Sequence, residues 1–126
     1  MRNPLLVLVI GALLAPAAAS GKVRFFHSPT GNISCEVTSK DPRGTYAYCQ
    51  SFRPVQSVRM GRRGHSKVCK GWKCVGDPPS NSFELGYGES VRVGPFRCFS
   101  RTTGVSCGLI GTDRGFTIAR AGIQVS

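Results

Sequence analysis

Three pairs of closely spaced cysteines constrain the fold of this chain more than any other feature. The pairs are Cys35 with Cys49, Cys69 with Cys74, and Cys98 with Cys107. An even number of cysteines in a small exported domain is typical of a disulfide framework. A domain of about a hundred residues buries only about two-thirds of its unfolded surface, so cross-links contribute much of its stability. The pairing of these cysteines therefore decides which segments of the chain face one another.

The N-terminus predicts export. Residues 1–20 combine one arginine, the apolar run "PLLVLVIGALLAP" and the small residues "AAAS". This is the pattern of a secretory signal peptide, and cleavage after Ala19 or Ser20 fits it best. The apolar run is shorter than the roughly 20 residues of a membrane-spanning helix. We therefore expect a secreted protein, extracellular or associated with the cell envelope, with one β domain over residues 21–126.

Antiparallel pairing predicts that the cysteines bond locally. Opposed residues of two antiparallel strands share one side of the sheet, close enough for a disulfide where the pair is not hydrogen-bonded. A loop around "KDPRG" and a four-residue loop from Arg101 to Gly104 supply the two turns. The expected partners are Ser39 with Thr45, Val37 with Ala47, Cys35 with Cys49, Ser100 with Val105, Cys98 with Cys107, and Phe96 with Leu109.

The stretch "CKGWKC" predicts a third disulfide, Cys69–Cys74. A two-residue turn at Gly71 and Trp72, with glycine first as in type II′, sets these cysteines side by side. Zinc is disfavoured because no second pair of ligands lies nearby, and the spacing differs from the Cys-x-x-Cys of thioredoxin-type redox sites. We expect a structural bridge, with no metal and no cofactor. By loop entropy each of the three bridges adds about 2 to 3 kcal/mol.

The rest of the chain predicts an all-β fold, a small antiparallel barrel or sandwich built from hairpins and stapled by disulfides. Short runs such as "KVRFF" and "RGFTIARAGIQV" are separated by turn residues, among the chain's 16 glycines and 8 prolines. No stretch holds a helical period. Between Gln50 and Ser82 hydrophobic patterning is weak, so we expect long loops there, including a basic loop over residues 53–73.

Three stretches resemble a known family. "FFHSPTGNISCEV", "GYGESVRVGPFRCFSRTTGVSC" and "RGFTIAR" are similar, in order, to motifs of an uncharacterised family of small secreted actinobacterial proteins. The resemblance covers nearly the whole chain after the signal peptide and implies an exported, disulfide-bonded β domain. It implies no catalytic residues. The chain departs from the family pattern at its central cysteines, where only "KGWK" intervenes instead of a longer tryptophan-glycine segment.

Positive charge is the strongest indication of a partner. The formal net charge is +11, and removal of the signal peptide with Arg2 leaves +10. Such a surplus attracts anions over long range. Seven cations occur between residues 53 and 73 without one acid: Arg53, Arg59, Arg62, Arg63, Lys67, Lys70 and Lys73. Together with Trp72, which can stack on a base or a sugar, they form the predicted binding set, with Tyr46 and Tyr48 as aromatic adjuncts.

This set predicts a monomer that binds an anionic polymer or surface, whether envelope glycopolymer, nucleic acid or anionic lipid. A solvated basic loop that merely keeps the protein soluble fits the same residues. A secreted ribonuclease is an alternative, with His65 as its acid or base among basic neighbours, but no second such group is evident and "GYGES" is not a nucleophile elbow. A further alternative is an inhibitor or effector that presents the rigid Cys69–Cys74 hairpin to a protein partner.

Overall fold

The protein is a sandwich of two β-sheets, which confirms the predicted all-β class in its sandwich form. The computed structural model describes residues 22–126. The predicted signal peptide, residues 1–20, and its cleavage site lie outside the described residues. None of the described residues belongs to a helix long and apolar enough to cross a membrane.

The described part of the chain forms eleven strands and one short 3₁₀ turn. The strands are β1 (Lys22–His27), β2 (Ile33–Asp41), β3 (Gly44–Phe52), β4 (Val55–Gly61), β5 (Ser66–Lys70), β6 (Phe83–Glu84), β7 (Ser90–Val93), β8 (Phe96–Arg101), β9 (Gly104–Leu109), β10 (Gly115–Ala119) and β11 (Gly122–Val125). The 3₁₀ turn spans Trp72–Cys74, between β5 and β6.

Short turns make neighbours of consecutive strands. The first sheet has the order β5-β4-β3-β2-β1-β6, and the second has the order β11-β10-β9-β8-β7. All strand pairs are antiparallel except the pair of β6 with β1, which is parallel. A long connection after the 3₁₀ turn brings the chain back to the edge of the first sheet, where β6 pairs with β1. The sheets pack through β10 against β3 and β4, and through β7 against β1 and β2.

Two disulfides meet at the centre of the sandwich. Cys35–Cys49 joins β2 to β3 in the first sheet, and Cys98–Cys107 joins β8 to β9 in the second. The Sγ atoms of Cys49 and Cys107 are 3.9 Å apart, in contact across the interface between the sheets. All four cysteines are buried within one hydrophobic core that also contains Phe26, Val37, Met60, Phe96, Phe116 and Ile118. The disulfide bonds therefore replace apolar side chains as core filling as well as cross-linking strands.

The predicted registers of both hairpins are confirmed at their cysteines. Cys35 lies opposite Cys49, and Val37 lies opposite Ala47. In the second sheet the pairs are Phe96 with Leu109, Cys98 with Cys107, and Ser100 with Val105. Pairing extends one step further than expected, because Arg101 faces Gly104 and leaves only Thr102 and Thr103 in the turn.

The first hairpin departs from its prediction near its turn. The register shifts between Thr38 and Asp41, so the expected pair of Ser39 with Thr45 does not form. Lys40 instead has a left-handed φ of 57°, and its N–H donates to Thr45 Oγ1 at 3.0 Å. An extra residue on one strand produces a β-bulge of this kind, which increases the local twist.

The Cys69–Cys74 bridge is present, but the predicted type II′ hairpin beneath it is wrong. Gly71 has φ 110° and ψ 170°, and its N–H continues the ladder by donating to the carbonyl of Val55 at 3.0 Å. The chain then makes the 3₁₀ turn, in which the N–H of Cys74 donates to the carbonyl of Gly71. The bridge therefore links the end of β5 to a helical turn and not to an opposing strand.

The expectation of long loops between Gln50 and Ser82 is wrong for residues 55–70, where β4 and β5 form a hairpin, but residues 75–82 do form an irregular connection. Two properties of β4 and β5 explain why the hydrophobic pattern of the sequence did not predict them. Gln56 occupies an inward, buried position of β4, where its amide donates to the carbonyl of Ala119 at 3.1 Å, and this interrupts the apolar alternation. The strand β5 lies at a sheet edge and is largely exposed, so it needs no apolar face.

The stacked disulfides predict unequal effects of removing each bridge. We expect the double substitution Cys98→Ala with Cys107→Ala to lower the free energy of unfolding by about 2 to 5 kcal/mol, because it removes a cross-link and core volume together. The Cys69–Cys74 bridge closes only a short exposed loop, so the same double substitution there is expected to lower the free energy of unfolding by about 2 kcal/mol or less. Urea unfolding of the oxidised variants measures both values. Equal losses would contradict the central role of the stacked pair.

Candidate anion-binding face

Four of the predicted cations lie together on the hairpin of β4 and β5. Arg59 on β4 lies directly opposite Lys67 on β5, so both side chains project from the outer side of the first sheet. Arg62 and Arg63 occupy the turn that joins the two strands. All four side chains are exposed. We call this group, Arg59, Arg62, Arg63 and Lys67, the cationic face.

The other four predicted residues form a second group near the far end of the same hairpin. Lys70 ends β5, Trp72 and Lys73 lie in the 3₁₀ turn, and Arg53 lies in the turn between β3 and β4. Trp72 is 71% exposed, and its ring centroid is 6.5 Å from that of Phe52. Lys70 lies three residue steps along β5 from Lys67, roughly 10 Å. The structure thus divides the predicted set between two neighbouring positions; the second we call the tryptophan tip.

The side chain of Arg59 is held in place by aromatic stacking. Its guanidinium carbon lies 3.8 Å from the ring centroid of Tyr46, the spacing of a cation–π contact. The hydroxyl of Tyr46 donates to Glu36 Oε2 at 2.7 Å. Arg59, Tyr46 and Glu36 therefore form a chain of contacts that runs across β4, β3 and β2 and anchors Arg59 to the sheet.

Few of the cations are neutralised within the protein. Among residues 22–126, both ion pairs closer than 4.0 Å use Arg43, which lies 3.6 Å from Glu36 and 3.6 Å from Asp41. The four members of the cationic face take part in neither pair. Because their charge is not compensated within that part of the chain, it is directed to solvent and to any anion that approaches.

The environment of Tyr46 disfavours its ionised form. Burial, the hydrogen bond to Glu36 and the negative charge of Glu36 raise the pKa of Tyr46 to about 12, against the opposing effect of Arg59 and Arg43. Burial also raises the pKa of Tyr48 above its usual value. Tyr46 therefore remains a neutral donor to Glu36 at physiological pH.

The sequence suggested Tyr46 and Tyr48 as aromatic adjuncts in binding. In the structure other residues cover both rings, at least in part. Tyr46 is only 8% exposed and lies beneath Arg59. Tyr48 lies beneath a covering segment, residues 74–79, with its hydroxyl 3.1 Å from the carbonyl oxygen of Cys74. Gln50 holds the same segment by two hydrogen bonds with the backbone of Gly76, at 2.7 and 2.9 Å. Tyr46 is thus largely covered, whereas Tyr48 is only partly buried.

Among residues 22–126, the structure does not bring the two histidines together. His65 is exposed in the turn between β4 and β5. His27, the second histidine, is on β1, and its Nδ1 lies 2.8 Å from Ser82 Oγ. Four strand spacings separate β1 from β5, about 19 Å. Among the described residues no three His, Cys, Asp or Glu side chains are placed to share a metal ion.

The sequence reasoning missed a second set of exposed arginines, on the outer side of the second sheet. Arg92 on β7 lies opposite Arg97 on β8, Arg101 ends β8, and Arg114 precedes β10. Alternation in "VRVGPFRCFSR" carried the signal, because the inward positions of β8 are the buried Phe96, Cys98 and Ser100.

Comparison with known proteins gives no relative from which a role can be transferred. No family model matches the chain, and neither a curated protein nor a solved structure matches it. The candidate site therefore rests on its own geometry and charge.

The raised pKa of Tyr46 predicts a late step in a tyrosine titration. Followed by absorbance, one of the three tyrosines should ionise near pH 12. The ordinary pKa of the tyrosine is 10, so between pH 10 and about pH 12 the folded protein keeps a proton that the unfolded chain releases. The contribution of Tyr46 to the free energy of unfolding is therefore complete below pH 10 and is lost as the pH rises towards 12. Tyr46→Phe should remove the step and Tyr87→Phe should leave it. A step that survives in Tyr46→Phe would contradict the assignment.

Proposed function

We propose that the protein is a secreted cationic binding protein that attaches electrostatically to anionic polymers or surfaces of the cell envelope or of a host. The observation that carries this proposal is the cationic face, four exposed cations without an ion pair to any described acid. Each phosphate or carboxylate that such cations neutralise releases condensed counterions, which supplies affinity without a shaped pocket.

Secretion is part of the proposal. Three disulfides are typical of proteins that fold in oxidising compartments, and the N-terminal residues have the pattern of a signal peptide. The motifs around Cys35, Cys98 and Cys107 support membership in the uncharacterised actinobacterial family. An exported protein of such a cell meets polymers of the envelope before it meets nucleic acid, which favours the envelope as the surface that is bound.

Rigidity adds to the charge. The stacking of Arg59 on Tyr46 fixes one cation, and pairing of β4 with β5 places Lys67 beside it. Binding then costs less side-chain entropy than it would in a disordered basic loop. If the cations serve solubility alone, the affinity for an anionic polymer should not depend on which cations are removed. The experiment below tests this difference.

The test compares two variants with the same loss of charge. One carries Arg62→Gln, Arg63→Gln and Lys67→Gln. Its control carries Arg120→Gln, Arg24→Gln and Lys22→Gln, three exposed residues outside the cationic face. At about 1 kcal/mol for each cation near an anionic surface, the first variant should bind long-chain polyphosphate on the order of a hundredfold more weakly than the wild type. The control should lose much less. Equal losses in the two variants would refute the site.

A second candidate function, capture of a protein partner by the tryptophan tip, is favoured by the exposure of Trp72. A large apolar ring that is 71% exposed on a disulfide-closed turn is the kind of side chain that anchors protein interfaces. Such a tip loses little conformational entropy on binding.

This candidate predicts a partner that depends on Trp72 and not on the cationic face. Immobilised oxidised protein should retain a specific band from culture supernatant or host extract, and Trp72→Ala should abolish it. The Arg62, Arg63 and Lys67 triple variant serves as the control and should retain the band. Loss of the band in the control alone would assign the contact to charge and reject the tip.

A further inference from the structure

The outer side of the second sheet contains a shallow groove of about 690 Å³ that faces away from the core. Four paired residues cross it from strand to strand. Phe99 on β8 faces Ser106 on β9, Ser106 faces Thr117 on β10, and Thr117 faces Gln124 on β11. The row thus combines one aromatic ring, one amide and two hydroxyls, and the hydroxyls of Ser106 and Thr117 share a hydrogen bond of 2.7 Å that leaves one O–H and the remaining lone pairs free for a ligand. The row lies outside the basic segment of residues 53–73.

Two glycines keep the floor of this groove flat. Gly108 on β9 lies opposite Gly115 on β10, and both line the groove. A Cβ at position 115 would lie 2.6 Å from the carbonyl oxygen of Cys107, so the close approach of the two strands requires glycine there. At position 108 the nearest neighbour of an added Cβ is the carbonyl oxygen of Arg114, at an ordinary 3.6 Å. Gly108 therefore leaves open space that a side chain would fill.

Three arginines lie in or beside the groove. Arg114 lines it directly, and Arg97 is exposed next to Gly108 in the strand pairing. The guanidinium carbon of Arg101 lies 5.7 Å from the ring centroid of Phe99. Among the described residues, Asp113 is the one acidic side chain that lines the groove. The groove therefore combines a positive rim with a neutral, hydroxyl-rich floor.

The groove adjoins the cationic face of the first sheet. The aliphatic carbons of Arg114 pack against Gly64, so closely that a Cβ at position 64 would lie 2.8 Å from Arg114 Cβ. Gly64 directly follows Arg62 and Arg63 in the chain. Positive charge thus continues around the end of the sandwich, from the hairpin of β4 and β5 to the groove.

We propose that this groove binds a sugar ring that carries an anionic group, as one unit of the polymer that the cationic face attracts. Hydroxyl and amide side chains recognise sugar hydroxyls, the Phe99 ring packs against the apolar face of a sugar, and arginine pairs with carboxylate or phosphate in two-point geometry. A polyanion without sugar rings uses only the arginines. That the ligand is polymeric rests on the proposed function; that the groove takes an anionic sugar does not.

The test compares polymers that share an anion but differ in backbone. Polygalacturonate and poly-glutamate both carry carboxylates, and only the first has sugar rings. The wild type should bind polygalacturonate roughly three- to tenfold more tightly than poly-glutamate of equal charge, the amount expected from one or two additional surface contacts. Dextran, which has rings but no charge, should bind more weakly than either. Equal affinity for the two polyanions would overturn the proposal.

Variants then locate the preference. Gly108→Leu fills the groove without changing charge and should remove the preference for polygalacturonate while leaving poly-glutamate binding unchanged. Gly76→Leu is the control, because that glycine also has open space around it but lies away from the groove, in the connection between the 3₁₀ turn and β6. Gln124→Ala, an exposed change that leaves the core untouched, should reduce the preference in part. If Gly108→Leu weakens both polymers equally, the groove is not the sugar site.

A small ligand separates this proposal from the proposed function. Titration of the wild type with trigalacturonate and with glucose 1-phosphate, followed by NMR of the backbone amides, should shift the signals of Ser106, Gly108 and Thr117. The two ligands distinguish carboxylated from phosphorylated sugars. Shifts in the groove support the inference even if no long polyanion binds, which would refute the proposed function alone. Shifts confined to the hairpin of β4 and β5, or no shifts, would overturn the inference.

Discussion

The contact between the Cys35–Cys49 and Cys98–Cys107 disulfides is the interaction on which the rest of the structure depends. Each bond fixes the register of one hairpin, and the 3.9 Å approach of Cys49 to Cys107 makes the two hairpins pack at the same point. A domain of this size has few apolar side chains with which to define its core. Covalent bonds between strand partners, buried as core filling, supply both the register and the packing centre. Apart from β6, the strands further from the centre pair with their neighbours in chain order through short turns.

The same register determines what the surface presents. On β3 and β4 the buried pair of Cys49 with Val58 is adjacent to the outward pair of Tyr48 with Arg59, and Arg59 in turn faces Lys67. A slip of one residue would exchange the two sides of the strand and place Arg59 in the core. The disulfides therefore stabilise the arrangement of charge as well as the fold. In the second sheet the bond between Cys98 and Cys107 likewise directs Phe99 and Ser106 outward, into the groove.

Counting residues outward from the turns predicted the features that depend on local structure alone. Counting outward from each turn gave the partners of the cysteines, because opposition in a hairpin depends only on residues near the turn. The same reasoning failed at β4, where a buried glutamine satisfied by the carbonyl of Ala119 interrupts the pattern, a contact made across 63 residues. It could not reveal that Arg114 packs on Gly64 or that residues 74–79 cover Tyr48. The sequence alone identified the cations of the site. Their division into a cationic face and a tryptophan tip depends on the hairpin of β4 and β5, which the sequence did not predict.

The salt dependence of binding by the wild-type protein tests the electrostatic account most directly. Dissociation constants would be measured for polyphosphate, polygalacturonate, oligothymidylate and vesicles that contain phosphatidylglycerol, between about 50 and 200 mM salt, a range over which six to ten phosphate contacts cost about 10³ to 10⁵ in affinity. With the four cations of the cationic face engaged, we expect affinity for polyphosphate to fall with a logarithmic slope of about 3 to 4. An affinity that is unchanged across this range, or the absence of binding to every polyanion at the lowest salt, would contradict it.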